Sequence, residues 1–360
     1  MAGIALRPVS SLRPVTGDPS EVLALLRDWN AAAGEPEPLV IETSGSSGEP
    51  KRVLLSRAAM RASASATHVR LGGPGQWLLA LPPTYVAGVQ VLFRSVLADT
   101  VPVFLTDGLP SAVASMGGTR RYLSLVPTQL RRMLSFESDI EALRSFDVIL
   151  LGGAALAPSL RAHAEGAGLT LVATYGMSET CGGCVYDGVA LDGVGVALTP
   201  GGGIRIAGPI LFDGYDGAPE ETTEVMKDGW FLTSDLGRLD EDGRLQVLGR
   251  VDDVVISGGV NVPTLAVALR LREHPSIHAA EVIGVPDEEW GQRVVAVVVT
   301  SAQAATREVP LMNDLRNWVS QVQPRAWAPR QLIRVDEIPL LHNGKVDRAS
   351  LRRLAAKGDP

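Results

Sequence analysis

Thr43, Ser44, Ser46 and Ser47 place four hydroxyls within five residues, and Gly45 and Gly48 let the backbone between them curl so that its N–H groups converge. Lys51 adds a cation at the end of the run. Hydroxyls, backbone donors and a lysine together suit the anionic tail of a nucleoside triphosphate. The spacing is not that of a Walker A loop, because Gly48 is followed by Glu49-Pro50-Lys51 rather than by Lys and Ser/Thr. A Ser/Gly run is also a common flexible linker, so this segment by itself leaves both readings open.

Three further segments carry chemistry. Tyr175-Gly176-Met177-Ser178-Glu179-Thr180 follows an expected strand, and ligands in α/β sheets sit beyond the carboxyl ends of strands. Ser178 there can donate to a phosphate and Glu179 can hold a divalent cation. A serine-hydrolase elbow, G-x-S-x-G, fails at its last position, where Thr180 stands. Asp235, in Thr233-Ser234-Asp235, could accept hydrogen bonds from ribose hydroxyls, or be an ordinary turn aspartate. Lys345, in Asn343-Gly344-Lys345, is offered at a turn tip, although lysine is also a common exposed residue.

The elements that must position these residues alternate in type. Asp18-Pro19-Ser20-Glu21 has the form of a capping box with proline at the first helical position, and Val22, Leu25, Leu26 and Trp29 follow at helical spacing. Strands are predicted at Leu39–Glu42, Val53–Leu55, Leu123–Val126, Val148–Leu151 and Leu169–Thr174, with helices between them, Pro158–Gly168 among these. That alternation predicts an α/β sheet covered on both faces. From Val189 to Val247, short strands separated by glycine-rich turns predict a β-rich subdomain. A boundary is expected at Gly249–Asp253, dividing the chain into a large domain, 1–249, and a small α+β domain, 250–360. The small domain is expected to hold helices Pro263–Glu273 and Leu311–Val322 and strands Glu281–Val285, Val294–Val299 and Gln331–Val335.

Composition excludes several classes. Hydrophobic residues at 46% and charged residues at 20% describe a globular chain with enough apolar material for a core, not a disordered one. A formal charge of −7 gives no global attraction for nucleic acid or an anionic membrane. There is no run of about 18 apolar residues and no signal-peptide core, so the expected location is cytoplasmic with no integral membrane segment. The cysteines, Cys181 and Cys184, lack the further ligands a zinc site needs, and are expected to line a wall as small apolar residues.

Taken in order, TSGSSGEPK, YGMSET, GWFLTSDLGRLDEDGRLQVLGRVDD, ISGGVNV and NGKVDR resemble the adenylate-forming superfamily of acyl-CoA synthetases, with matches running from Thr43 to Lys345. The resemblance implies ATP, Mg²⁺, coenzyme A and a small carboxylic acid as partners, with no nucleic acid. A homodimer is the one self-association it suggests. It further implies that Thr43 to Lys51 and Ser178 bind the ATP phosphates and Glu179 the metal. Gly152, Gly153, Ala154 and Tyr175 would lie against adenine, and Asp235 with Arg250 at the ribose. Asp252 would be the hinge, Gly258 and Gly259 the lining of the coenzyme A tunnel, and Lys345 the catalytic lysine. Within the superfamily, LPPTYVAGVQVLFRSVLA, SLVPTQLRRML and YGMSETCGGCVYDG are most similar to a short actinobacterial form of the o-succinylbenzoate–CoA ligases of menaquinone biosynthesis. Such a dicarboxylate needs a second cation, for which Arg131 and Arg132 are the candidates; a solvated basic helix face is the alternative. Tyr85, where many relatives have histidine, is expected near the acyl pocket. The phosphate loop begins unusually early, so the pocket is expected to be incomplete or closed by a partner subunit. Ligation of another acid, acyl transfer to a carrier protein, and nucleotide binding without catalysis are the rival readings.

Overall fold

The structure, a computed structural model, describes residues 12–43, 51–300, 311–340 and 346–357. Helix α1 (Pro19–Ala31) starts as expected: Asp18 Oδ1 accepts from the Ser20 and Glu21 amides at 2.8 and 3.0 Å, and Glu21 Oε2 accepts from the Asp18 amide at 3.0 Å. Strands β1 (Leu39–Thr43) and β2 (Lys51–Leu55) pair antiparallel, with Thr43 opposite Lys51. The hydroxyl-rich residues Ser44 to Gly48 lie outside the described residues. Ser56 caps α2 (Arg57–Arg70), its Oγ accepting from the Ala59 amide at 3.4 Å.

The next elements build one sheet. They are β3 (Gln76–Leu79), α3 (Val86–Leu97), β4 (Val103–Phe104), α4 (Leu109–Ala114), β5 (Arg121–Leu125), α5 (Pro127–Met133), α6 (Glu137–Leu143), β6 (Val148–Leu151), α7 (Pro158–Gly166), β7 (Leu171–Met177), β8 (Gly182–Tyr186) and β9 (Val189–Ala190). The seven strands run in the order β4-β3-β5-β6-β7-β8-β9, parallel from β4 to β7 and antiparallel beyond. Side chains alternate between two cores. Trp77, Tyr122 and Leu150 face α1, α2 and α3, while Leu78, Leu123, Ile149 and Leu151 face α4 to α7. Burial on both faces explains why these strands read as short unbroken apolar runs.

The glycine-rich stretch forms β10 (Gly195–Leu198), β11 (Gly203–Ala207), β12 (Gly214–Tyr215), α8 (Pro219–Val225), β13 (Met226–Lys227), β14 (Trp230–Leu239) and β15 (Leu245–Arg250). Strand β14 pairs with β11, β13 and β15, and β12 is added to β2. A turn at Val251–Asp253 leads into β16 (Val254–Ser257), β17 (Val260–Pro263), α9 (Thr264–Arg272), β18 (Ile277–Asp287), β19 (Gly291–Thr300), α10 (Met312–Ser320), β20 (Gln331–Arg334) and α11 (Arg348–Lys357). Their sheet, β17-β16-β19-β18 with β20 parallel to β19, is covered on one side by α9 and α10 and on the other by α11. Among the described residues, no helix is long and apolar enough to cross a membrane.

Two boundaries differ from expectation in ways that matter. Strand β7 runs through Tyr175 to Met177 instead of ending at Thr174, and β14 runs through Thr233 and Asp235, so Asp235 is a strand residue and not a turn residue. Both extensions come from pairing partners distant in sequence: Tyr175 faces Val185, and Asp235 faces Arg250.

Candidate active site

Strands β7, β14 and β15 bring three candidate residues together. Tyr175 donates its hydroxyl to Asp235 Oδ2 at 2.8 Å, and Arg250 Nη1 lies 3.9 Å from Asp235 Oδ1. Thr233 Oγ1 accepts from the Asp235 amide at 3.1 Å and donates to the Ile204 carbonyl at 2.9 Å, which fixes the strand beneath the carboxylate. Burial, then the Asp235 charge, raises the Tyr175 phenol far above its ordinary value, so it stays a protonated donor. The close approach of β8 requires Gly176: a Cβ there would stand 2.0 Å from the Gly182 carbonyl oxygen. The cluster thus offers an aromatic ring, a carboxylate and a cation at the carboxyl end of the sheet, a set suited to a base and its ribose.

A second cluster lies where the chain leaves β7. Ser178 is buried in the short turn Ser178–Thr180, which Thr180 closes by accepting from the Met177 amide at 2.9 Å. Glu179 Oε1 accepts from the Tyr215 hydroxyl at 2.8 Å. Burial and then the Glu179 charge raise the Tyr215 phenol, so it too remains a donor. Lys51 Nζ sits 4.6 Å above the Tyr215 ring and 2.9 Å from Glu221. Tyr215 on β12 thus joins Lys51 to Glu179, and the β1–β2 register sets Thr43 opposite Lys51. Tyr215 was not foreseen from sequence; it lies in Asp213-Gly214-Tyr215, a glycine-containing turn sequence with no ligand signature.

A cavity of about 220 Å³ opens between α3 and the sheet. Gly152, Gly153, Gly176, Gly183 and Tyr85 line it, and so does Arg94. Tyr85 is 53% exposed at the start of α3, whereas Arg94 is only 3% exposed. Among the described residues no carboxylate pairs with Arg94, its Nε has no hydrogen-bond partner, and its charge is met only by the Trp77 ring at 4.9 Å. Desolvation works against this charge and lowers its pKa. His68 nearby adds no second positive charge: burial, then Arg94 itself, lowers its pKa to about 4, so it is neutral at pH 7. Gln90 donates to the Cys181 carbonyl at 2.8 Å and leaves Oε1 buried without a partner on the same wall. Arg131 and Arg132 do not reach this cavity. They are exposed in the last turn of α5, where cations complement the helix dipole. Among the described residues lining this cavity, Arg94 is the cation.

Other candidates sit elsewhere. Ala154 is exposed just beyond Gly153. Asp252 lies in the Val251–Asp253 turn, and Gly258 and Gly259 join β16 to β17. Gly258 has φ +58° and a Cβ there would meet Trp290 Cε3 at 2.8 Å, so a side chain at this turn would be strained and would have to displace Trp290. Lys345 is outside the described residues. Cys181 and Cys184 are buried, and burial pushes the Cys184 thiol up to about 12 and that of Cys181 higher. Cys181 and Cys184 each belong to an apolar cluster of the core. Because only the thiolate reacts, folded protein at pH 8 should resist a disulfide-exchange reagent such as DTNB, and guanidinium should expose both thiols. Rapid labelling of the folded chain would contradict this burial.

Residues 32–215 match the AMP-binding enzyme family, and residues 270–345 match the AMP-binding enzyme C-terminal domain. A probable 2-succinylbenzoate–CoA ligase of Mycobacterium tuberculosis is 44% identical over 331 residues, covering 89% of this chain and 85% of the relative. A 2-succinylbenzoate–CoA ligase of Bacillus cereus is 30% identical over 375 residues, covering 96% of this chain and 75% of the relative. The solved o-succinylbenzoate CoA synthetase from Bacillus subtilis, in complex with the acyl-adenylate intermediate, superposes with a TM-score of 0.72 at 26% identity. That superposition covers 87% of this chain and 68% of the other.

Proposed function

The chain belongs to the AMP-binding enzyme family, and from that premise we propose that it activates 2-succinylbenzoate with ATP and transfers the acyl group to coenzyme A. The observation that carries the substrate class is Arg94: a buried cation that no carboxylate among the described residues pairs, in the cavity beside the Tyr175–Asp235 cluster. A dicarboxylic acid satisfies it. One carboxylate meets Arg94 and the other is left at the mouth, near Gly152 and Gly176, where the nucleotide cluster begins.

In the first step the outer carboxylate oxygen attacks the α-phosphorus. A C(O)–O–P bond forms, the bond to the β-phosphate oxygen breaks, and pyrophosphate leaves. Two anions must meet, so the residues supply positive charge and fixed donors. Tyr175 holds the base by its ring, Asp235 and Arg250 hold the ribose, and Ser178 with the 43–51 segment holds the phosphates. Glu179, a hard oxygen donor steadied by Tyr215, fits Mg²⁺, which when bound offsets phosphate charge. Lys345 bridges the incoming carboxylate and the α-phosphate. In the second step the thiol sulfur attacks the acyl carbon, the C–S bond forms, the C–O bond to AMP breaks, and the thiol proton passes to solvent. The thiol needs the place Lys345 had occupied. The part beyond residue 249 therefore turns about the Val251–Asp253 segment, bringing Gly258 and Gly259 to the site in place of the lysine.

Replacing Asp235 with alanine should raise the KM for ATP roughly tenfold to a hundredfold, the worth of hydrogen bonds to a charged group. Tyr175→Phe, which keeps the ring, should raise it far less. Equal KM values for wild type and D235A would remove the ribose assignment. The acceptor is tested by supplying coenzyme A or a phosphopantetheinylated carrier protein. Thioester should form with the former, and formation only on the carrier would replace this reading with the carrier-ligase one.

A further inference from the structure

The acid cavity has a second side. On one face of the sheet, Gly152, Thr174 and Tyr186 line the cavity, with Thr174 directly opposite Tyr186 across β7 and β8. Toward the starts of β6 and β7, Val148 and Val172 border a separate open groove of about 480 Å³ on the outside of the molecule. Tyr186 borders both spaces. It is 2% exposed, its hydroxyl lies 3.0 Å from Thr67 Oγ1, and its Cε1 would stand 3.1 Å from a Cβ on Gly183. The ring is thus pinned at its tip and laid over the glycine floor of the cavity.

We infer that Tyr186 is the back wall of the acid site and sets the longest acid that the enzyme activates. This rests on the proposed acid-activating function and adds to it the residue that limits substrate length. Near the ring, Arg94 holds the far carboxylate; an acid with a longer spacer drives that carboxylate into Tyr186. Removing the ring joins the cavity to the groove, whose rim carries Arg70 and Arg244. Arg70 is fixed there, donating to the Val189 and Ala190 carbonyls at 3.2 and 2.5 Å. A longer dicarboxylate then has both room and a cationic, solvated exit for its distal end.

The test is pyrophosphate release by wild type, Tyr186→Ala and Tyr186→Phe with 2-succinylbenzoate and homologues of progressively longer side chain. Tyr186→Ala should raise the ratio of kcat/KM for the longer acid over the shorter by about tenfold or more, the usual worth of pocket space for added methylenes. Tyr186→Phe keeps the ring and should keep the wild-type cut-off. If Tyr186→Ala does not fold, Tyr186→Leu should move the ratio in the same direction by less. An unchanged cut-off in a folded Ala or Leu variant overturns the wall while leaving acid activation intact, and so does a Phe variant that shifts as far as Ala. A wild type that activates no acid of the series overturns the functional reading first, and the wall with it.

Discussion

Lys345→Ala should lower acid-dependent pyrophosphate exchange by on the order of 10²-fold or more, the cost of losing one charge-stabilising donor from a transition state. The same variant should convert supplied acyl-adenylate and coenzyme A to thioester at nearly the wild-type rate. The asymmetry follows from the chemistry. Adenylation joins a carboxylate to a phosphate, so a cation between them lowers the barrier. Thiolysis joins a thiol to an already activated acyl carbon, and its leaving group is AMP, for which the proposed holders are Asp235, Arg250 and Tyr175. Loss of both half-reactions to the same degree would mean that Lys345 supports the fold or the nucleotide as a whole. The described backbone resumes at Val346, which bridges to Leu340, and Asp347 then accepts from the Ser350 amide at 3.0 Å at the start of α11.

Arg94→Met should lower kcat/KM for the dicarboxylate roughly tenfold to a hundredfold, the range for a hydrogen-bonded buried charge pair. Activation of a monocarboxylic analogue lacking the second acid group should be unchanged or improved. Methionine is the informative replacement because it refills the space beside Trp77 with flexible apolar volume. Stability should not fall, and a rise in Tm is the expected direction: a lone buried cation is costly, and its removal relieves desolvation. Equal losses for both acids would show that Arg94 shapes the cavity without reading the second carboxylate.

Arg94 also shows where the sequence was legible and where it was not. The α/β alternation, the capped first helix and the β-rich stretch followed from periodicity and turn residues, because those signals are local. Tyr175 and Asp235 were found as candidates yet assigned to a loop and a turn. Their strands are completed by Val185 and Arg250, and such pairing leaves no local trace. The basic pair Arg131–Arg132 stands out in the sequence because adjacent charges do, and both lie exposed in the last turn of α5, apart from the cavity lining. The signal for Arg94 was the opposite one. It is a single cation in Val89-Gln90-Val91-Leu92-Phe93-Arg94-Ser95, a helix segment every residue of which is buried, with Gln90 one turn before it on the same face. Its other positions are apolar enough to enclose the helix, so the Gln90–Arg94 stripe must point into the interior or into a cavity. Tyr215, which steadies Glu179, could not be found this way, because its contact joins residues far apart in sequence and neither flank carries a pattern.

Acid-dependent exchange of labelled pyrophosphate into ATP, measured without any thiol, isolates the step on which the whole account rests. With 2-succinylbenzoate present, label should enter ATP, and without an acid it should not. Absence of exchange with 2-succinylbenzoate, alongside robust exchange with a fatty or simple aryl monocarboxylic acid, would contradict the reading of Arg94 and of the cavity it lines.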